Sequence, residues 1–255
     1  MKLTLLGTGN ASMLPVYGCT CQACNRAQHT SSYRRKKTSA VIEHQGKQLL
    51  LDANADDLLS RFPAGSIDRI LLTHYHMDHV HSLFDLRWGV GTPIHVDGPD
   101  DPQGCDDLFK HSGLLDFQPP RTAFKAFSWQ GITITPLPMN HSKVCFGYCF
   151  EWQGRRIAYL TDTLGLREDV TVWLAANSIE VMLIDCSFPP SSFREGRPPV
   201  NHNDTDTVRI IQQACQPKKM GLIHIGHDLE SWAMDNPNYF TDCRFLAFDE
   251  QEFEL

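Results

Sequence analysis

The chain has 255 residues and a formal net charge of −7, with a pI near 5.9. A chain of this length can bury a substantial core, and without a Ser/Gly-rich linker or a charge block it reads as a single domain over 1–255. The acidic balance argues against a broad nucleic-acid surface, and no apolar run approaches the roughly 20 residues of a membrane span. The expected partner is therefore a small molecule, with no stable nucleic acid and no membrane. An anionic substrate stays possible, because bound cations would dominate the local field. The opening segment 1–7 is too short for a signal peptide and reads as a first strand, which makes the cytoplasm the expected compartment.

In chain order, the strand over 2–6 meets Gly7-Thr8-Gly9, a glycine turn that lets backbone pass close to something, either phosphate or protein. Next comes Cys19-Thr20-Cys21-Gln22-Ala23-Cys24. The chain carries nine cysteines, and in a reducing compartment a tight group of three is a metal-binding signal more than a disulfide signal. A structural zinc takes four tetrahedral ligands, so three thiolates need a fourth from elsewhere, and His227 is the candidate. The other six cysteines (Cys105, Cys145, Cys149, Cys186, Cys215, Cys243) read as small buried hydrophobes. The basic run Arg34-Arg35-Lys36-Lys37 reads as a solvated loop, with a phosphate clamp as its functional alternative. Segments 39–43 and 48–52 flank Gln45-Gly46-Lys47 as a hairpin, and a helix is expected over 54–62, ending before Pro63.

The strand over 66–72 delivers Thr73-His74-Tyr75-His76-Met77-Asp78-His79. This is the most informative stretch of the chain. Its H-x-H-x-D-H pattern packs four metal-capable side chains into a loop at a strand end, where they can converge instead of alternating between two faces. Histidine is the commonest ligand of divalent transition metals, and aspartate adds a hard oxygen. Helices over 80–88, with Trp88 partly inward, and over 104–115 follow, separated by a short strand over 93–96. Strands over 122–129, 131–137, 144–152 and 156–160 come next, then a helix over 168–177 and an apolar strand over 181–184 that ends at Asp185. A proline-bearing polar loop over 189–199 is expected to be mobile. Asp204 is placed to cap a helix over 205–215, the last core strand runs over 220–225, and the tail returns as edge strands. By itself this alternation specifies mixed α/β layers.

The H-x-H-x-D-H loop, with His141, Asp162 and His224 each following an apolar strand-like run, resembles the metallo-β-lactamase superfamily. The resemblance implies an αββα sandwich and a two-cation centre. One cation would be held by His74, His76 and His141, the other by Asp78, His79 and His224, with Asp162 bridging. It also implies that Asp52 supports the metal-binding loop by orienting ligand imidazoles.

The match extends further. Leu72–Val80, Leu86-Arg87-Trp88-Gly89-Val90-Gly91, Gln103–His111, Asn140-His141-Ser142-Lys143 and the cysteine cluster are similar to the PhnP family of cyclic phosphodiesterases, which acts in the carbon–phosphorus lyase pathway of phosphonate breakdown. This implies hydrolysis of 5-phosphoribosyl 1,2-cyclic phosphate to ribose 1,5-bisphosphate by a homodimer. The implied cofactors are two catalytic Mn²⁺ or Zn²⁺ ions and one structural Zn²⁺. The implied catalytic set is His202 as general acid, Asp185 as its partner, and Asp78. Lys143 and Arg87, with the basic run behind them, are the candidates for holding the 5-phosphate. A tRNA 3′-processing nuclease and a non-enzymatic ligand carrier share the superfamily pattern and are the competing readings. The nuclease would need a basic arm that neither the acidic balance nor the one short basic run supplies.

Overall fold

The computed structural model describes residues 1–255. Its strands are β1 (Lys2–Gly7), β2 (Ser39–His44), β3 (Lys47–Leu51), β4 (Ile67–Leu71), β5 (Ile94–Asp97), β6 (Leu115–Phe117), β7 (Phe127–Trp129), β8 (Ile132–Pro138), β9 (Phe146–Trp152), β10 (Arg155–Leu160), β11 (Val181–Asp185), β12 (Lys219–Ile223), β13 (Arg244–Leu246) and β14 (Glu252–Glu254). The helices are α1 (Gln22–His29), α2 (Leu58–Arg61), α3 (Met77–Val80), α4 (Leu83–Leu86), α5 (Asp106–Lys110), α6 (Glu168–Ala176), α7 (Thr205–Cys215) and α8 (His227–Asp235). The strands form two sheets, ordered β14-β1-β2-β3-β4-β5-β6 and β13-β12-β11-β10-β9-β8-β7.

The apolar runs explain the layering. Side chains alternate across a strand, so an unbroken apolar run is stable only where both faces are covered. Leu49 and Leu51 point into the space between the sheets, where they meet Tyr148, Phe150 and Leu183. Leu50 points outward, onto the layer that holds Leu58, Leu83 and Leu108. On the second sheet Leu183 faces inward, while Met182 and Ile184 pack outward with Val208 and Leu229. The product is an αββα sandwich. Truncating a residue such as Leu50, buried at 0 % exposure, would cost about 2–5 kcal/mol.

Strand direction sets where the functional loops lie. β10, β11 and β12 are parallel. β9 is antiparallel to both β8 and β10, which makes β8 parallel to β10. The C-terminal ends of β8, β10, β11 and β12 therefore share one edge of their sheet. In the first sheet β3 and β4 are parallel, so Asp52 and the H-x-H-x-D-H loop leave it together. The tail closes both sheets, with β13 on β12 and β14 on β1.

Several boundaries differ from the sequence expectation. The helix over 54–62 shrinks to α2, because Ala53 and Asn54 are tied to the metal-motif loop. Ala53 N–H donates to His79 O, and Asn54 Nδ2 donates to Asp78 O at 2.7 Å. The helix over 80–88 divides into α3 and α4, and Trp88 is 71 % exposed instead of turned inward. The helix over 104–115 reduces to α5, and the strand over 122–129 to β7 after Phe124 adopts a positive φ of 59°. The loop over 189–199 contains a 3-10 turn, Ser191–Arg194. Cys243 is exposed and Cys105 only half-buried, unlike the other four cysteines of the scattered set. Asp204 caps α7 as expected, accepting from Thr207 N at 2.8 Å.

Candidate metal centre

The turn off each strand end aims a side chain over the edge. Asp52, Asp162 and His224 all hold positive φ, at 62°, 56° and 56°. Asp and His are among the residues enriched in this left-handed region, and strained backbone clusters at functional sites. Asp52 is buried and clamps the motif loop. Its carboxylate accepts from Thr73 N at 2.8 Å and lies 2.7 Å from His79 Nδ1.

The fold brings together all seven side chains named for the centre. His74, His76, His141 and Asp162 form one group, and Asp78, His79 and His224 another; in each, the donor atoms lie within 4.8 Å of one another. Asp162 stands between them. One oxygen, Oδ2, lies 3.7 Å from His74 Nε2, 3.6 Å from His141 Nε2 and 3.6 Å from His224 Nε2. The other, Oδ1, lies 3.4 Å from His79 Nε2.

Two observations test whether a cation fits. His76 Nδ1 lies 2.9 Å from His74 Nε2 and 3.0 Å from His141 Nε2. One proton on His76 can bridge only one of those contacts, whereas a cation satisfies all three nitrogens. In addition, His79 Nε2 and His224 Nε2 are buried without any hydrogen-bond partner. Buried polar atoms left unpaired are rare and point to an absent ion or water. The donor set of imidazoles and carboxylates suits zinc and manganese alike. Burial holds the pKa values of His74, His76 and His141 below the usual imidazole value, which favours the neutral ligand form.

His202 lies against this cluster. Its ring stacks on His224 with centroids 4.5 Å apart and planes at 18°. Its Nδ1 is 2.7 Å from Asp185 Oδ2, and that same oxygen accepts from Thr163 N at 2.9 Å. Burial pulls the His202 pKa down, but the neighbouring Asp185 carboxylate, aided by Asp162 and Asp78, overrides this and raises it to about 9.

The cysteine cluster forms a second constellation. Cys19 Sγ, Cys21 Sγ and Cys24 Sγ lie 3.4, 3.5 and 3.9 Å from His227 Nδ1. Cys21 caps α1, and His227 opens α8 three residues after His224. Three soft sulfurs and one imidazole facing a common point fit tetrahedral zinc.

The basic run is placed differently from both of its readings, the solvated loop and the phosphate clamp. Arg35 is buried and pairs with Glu230 at 2.8 Å. Lys36 pairs with Asp57 at 2.9 Å, and Lys37 sits 3.8 Å from Asp56. Arg34 Nε donates to Ala27 O. This run knits the cysteine loop to α8 and to the segment before α2. Arg87 does not turn to the centre; it pairs with Asp107 at 2.6 Å. Lys143 pairs with Asp101 at 3.3 Å. The Gly7-Thr8-Gly9 turn accommodates protein backbone: a Cβ at Gly7 would lie 2.0 Å from Lys37 O. Sequence reasoning missed Ser187, whose Oγ lies 2.9 Å from His224 Nδ1, Asn203, whose Nδ2 donates to Asp185 O at 3.0 Å, and Asp101, the partner of Lys143; none has a motif spacing, and each gains its partner only through folding.

A family model described as the beta-lactamase superfamily domain matches residues 47–225. The chain belongs to this superfamily, a family of metal-binding hydrolases. Among curated proteins it is 38 % identical over 89 residues to an octanoyltransferase of Porphyromonas gingivalis, covering 34 % of this chain and 18 % of that protein. It is 28 % identical over 131 residues to a ribonuclease Z of Clostridium beijerinckii, covering 44 % and 42 %. The chain thus matches less than half the length of either relative. Among solved structures, a diphosphatase of the PhnP family superposes with a TM-score of 0.81 at 23 % identity, over 100 % of this chain and 96 % of that one. Zinc-bound PqqB from Methylobacterium extorquens gives 0.78 at 18 % over 100 % of both. The short form of human tRNase Z gives 0.69 at 19 % over 100 % and 99 %. At these identities the likeness is one of fold.

Proposed function

We propose that this chain is a dinuclear metal-dependent phosphodiesterase whose substrate is 5-phosphoribosyl 1,2-cyclic phosphate, opened to ribose 1,5-bisphosphate in phosphonate catabolism. The observation that carries the reading is the His202–Asp185 pair at 2.7 Å, set directly against the seven-donor cluster. A cation pair alone serves many hydrolyses. A protonated imidazole beside it is what a poor alkoxide leaving group requires.

His74, His76 and His141 would hold one divalent cation and Asp78, His79 and His224 the other, with Asp162 between them. Zn²⁺ or Mn²⁺ bound there supplies Lewis-acid charge for the phosphoryl oxygens and the acidity that makes water nucleophilic at neutral pH. The chain's own residues do the rest. Asp185 holds the Nδ1 proton of His202 and lends negative charge, so the imidazole stays protonated at neutral pH and its Nε2–H serves the leaving sugar oxygen. Asp78 and Asp162 offset the repulsion of two cations held close together. Lys143, two residues past His141, exchanges Asp101 for the 5-phosphate. Cys19, Cys21, Cys24 and His227 hold a structural Zn²⁺ that ties the N-terminal loop to α8. The working assembly is a cytoplasmic homodimer, each copy one domain over 1–255.

The test is turnover by the metal-loaded protein of the cyclic ribose phosphate and of bis(p-nitrophenyl) phosphate. Activity on both, with the sugar preferred, is the expected result; activity on neither would leave the ligand-carrier reading. The ribonuclease Z relatives favour a second reading, a tRNA 3′-processing-type nuclease. Cleavage of a precursor tRNA at a rate exceeding that on the cyclic sugar would establish it.

A further inference from the structure

The two buried imidazoles with orphaned Nε2 atoms are held from behind in different ways. His79 Nδ1 faces the Asp52 carboxylate. His224 Nδ1 faces a neutral hydroxyl, Ser187 Oγ, at 2.9 Å. That hydroxyl also lies 2.7 Å from His224 O and 3.4 Å from Asp185 Oδ1. Ser187 is 2 % exposed and Asp185 0 %, so water does not supply alternatives. Both remaining neighbours of the hydroxyl, a carbonyl and a carboxylate, only accept. The single Ser187 proton is therefore committed to one of them, and His224 Nδ1 must be the donor to Ser187 Oγ. Its Nε2 faces Asp78 and Asp162, the direction from which it would hold a cation.

We propose that Ser187 is a positioning residue that holds the His224 ring by its Nδ1–H, leaving Nε2 free for a cation. The other acceptor near His224 Nδ1, Asp185 Oδ1 at 3.7 Å, lies beyond hydrogen-bond reach. Without the hydroxyl, no acceptor holds the Nδ1 proton and the ring loses its anchor. The close approach is built into the backbone: a Cβ at Gly226 would lie 2.5 Å from Ser187 O. This inference rests on reading the cluster as a metal centre, but its tests need no substrate.

Long-range ¹H–¹⁵N spectra of the Zn²⁺-loaded protein should show a slowly exchanging Nδ1–H on His224 in the native chain. In Ser187→Ala and in Ser187→Cys this proton should exchange faster. Zn²⁺ affinity at the pocket of Asp78, His79 and His224 should fall about 10–100-fold in both variants, the usual effect of losing a residue that orients a metal ligand. Cysteine fills the serine space but accepts hydrogen bonds poorly, so it separates hydroxyl chemistry from packing and remains informative should the alanine variant fold badly. Native-like Nδ1–H exchange and Zn²⁺ affinity in Ser187→Cys would overturn the proposal, as would a Zn²⁺-loaded native protein in which His224 carries its proton on Nε2. A chain that shows these effects yet hydrolyses no phosphodiester would refute the proposed function and leave Ser187 in its role.

Discussion

The His/Asp centre and the Cys/His cluster lie three residues apart along the chain, at His224 and His227, and are built on different principles. The centre takes its donors from the ends of parallel strands, whose backbone is fixed by two sheets. It gathers more groups than a single cation can use, and it keeps His202, paired with Asp185, at its side. The cysteine cluster takes its donors from a loop and the first residue of α8, and its four donor atoms match in number what one structural zinc takes. A saturated site can only hold structure together, whereas a site with extra acid groups and an unspent proton can do chemistry. Substitutions in the two regions should therefore fail in different ways.

The largest effect is expected at the centre. His76→Ala or Asp162→Ala should abolish measurable phosphodiesterase activity and lower metal content, checked by elemental analysis beside the rate assay. Full activity of the metal-stripped His76→Ala protein would break the distinction between the regions.

His202→Ala comes next. General acid assistance is typically worth about 10²–10⁴-fold, and that loss should fall on the cyclic ribose phosphate. A p-nitrophenyl phosphodiester, whose phenolate leaves unaided, should lose much less, with metal content unchanged. Equal losses on both substrates would instead place His202 on the phosphoryl oxygens. The pH profile sharpens the same point. The Asp185 carboxylate raises the His202 pKa above the ordinary imidazole value, so the rate on the sugar substrate should hold through neutrality and fall at higher pH. In Asp185→Asn the carboxylate that raises the value is gone, and this alkaline limb should move down toward the ordinary imidazole range.

Cys21→Ser should act on stability more than on chemistry. A structural zinc contributes folding free energy directly, so the expected result is loss of one tightly held zinc, a lower melting temperature and poorer solubility. The rate per folded, metal-loaded molecule should stay near native. No zinc after mild chelation, with melting unchanged, would remove the cluster from this comparison. The smallest effect is expected from Lys143→Ala, whose pairing with Asp101 already neutralises it at rest. It should raise KM for the 5-phosphorylated substrate and leave a substrate without that phosphate unaffected; equal changes in both would reject the anchoring role.

The sequence by itself determined which side chains could meet a cation. H-x-H-x-D-H is a contiguous pattern, and its chemistry is readable without a fold. The apolar strand-like runs ahead of His141, Asp162, Asp185 and His224 placed each at a strand end, and Asp204 announced the start of α7. Only the tertiary structure decided what those residues face. Short helices such as α2, α3 and α4 depend on ties between loops, as in Asn54 to Asp78, which local propensity does not encode. The basic run reads as a solvated loop or a clamp in one dimension, yet Arg35, Lys36 and Lys37 meet Glu230, Asp57 and Asp56, acids brought to them from distant segments. Arg87 is taken by Asp107 in the same way. Ser187 shows the limit most clearly. A hydroxyl has no signature spacing, and its role arises only because strand order sets β11 beside β12 and brings His224 within 2.9 Å of it.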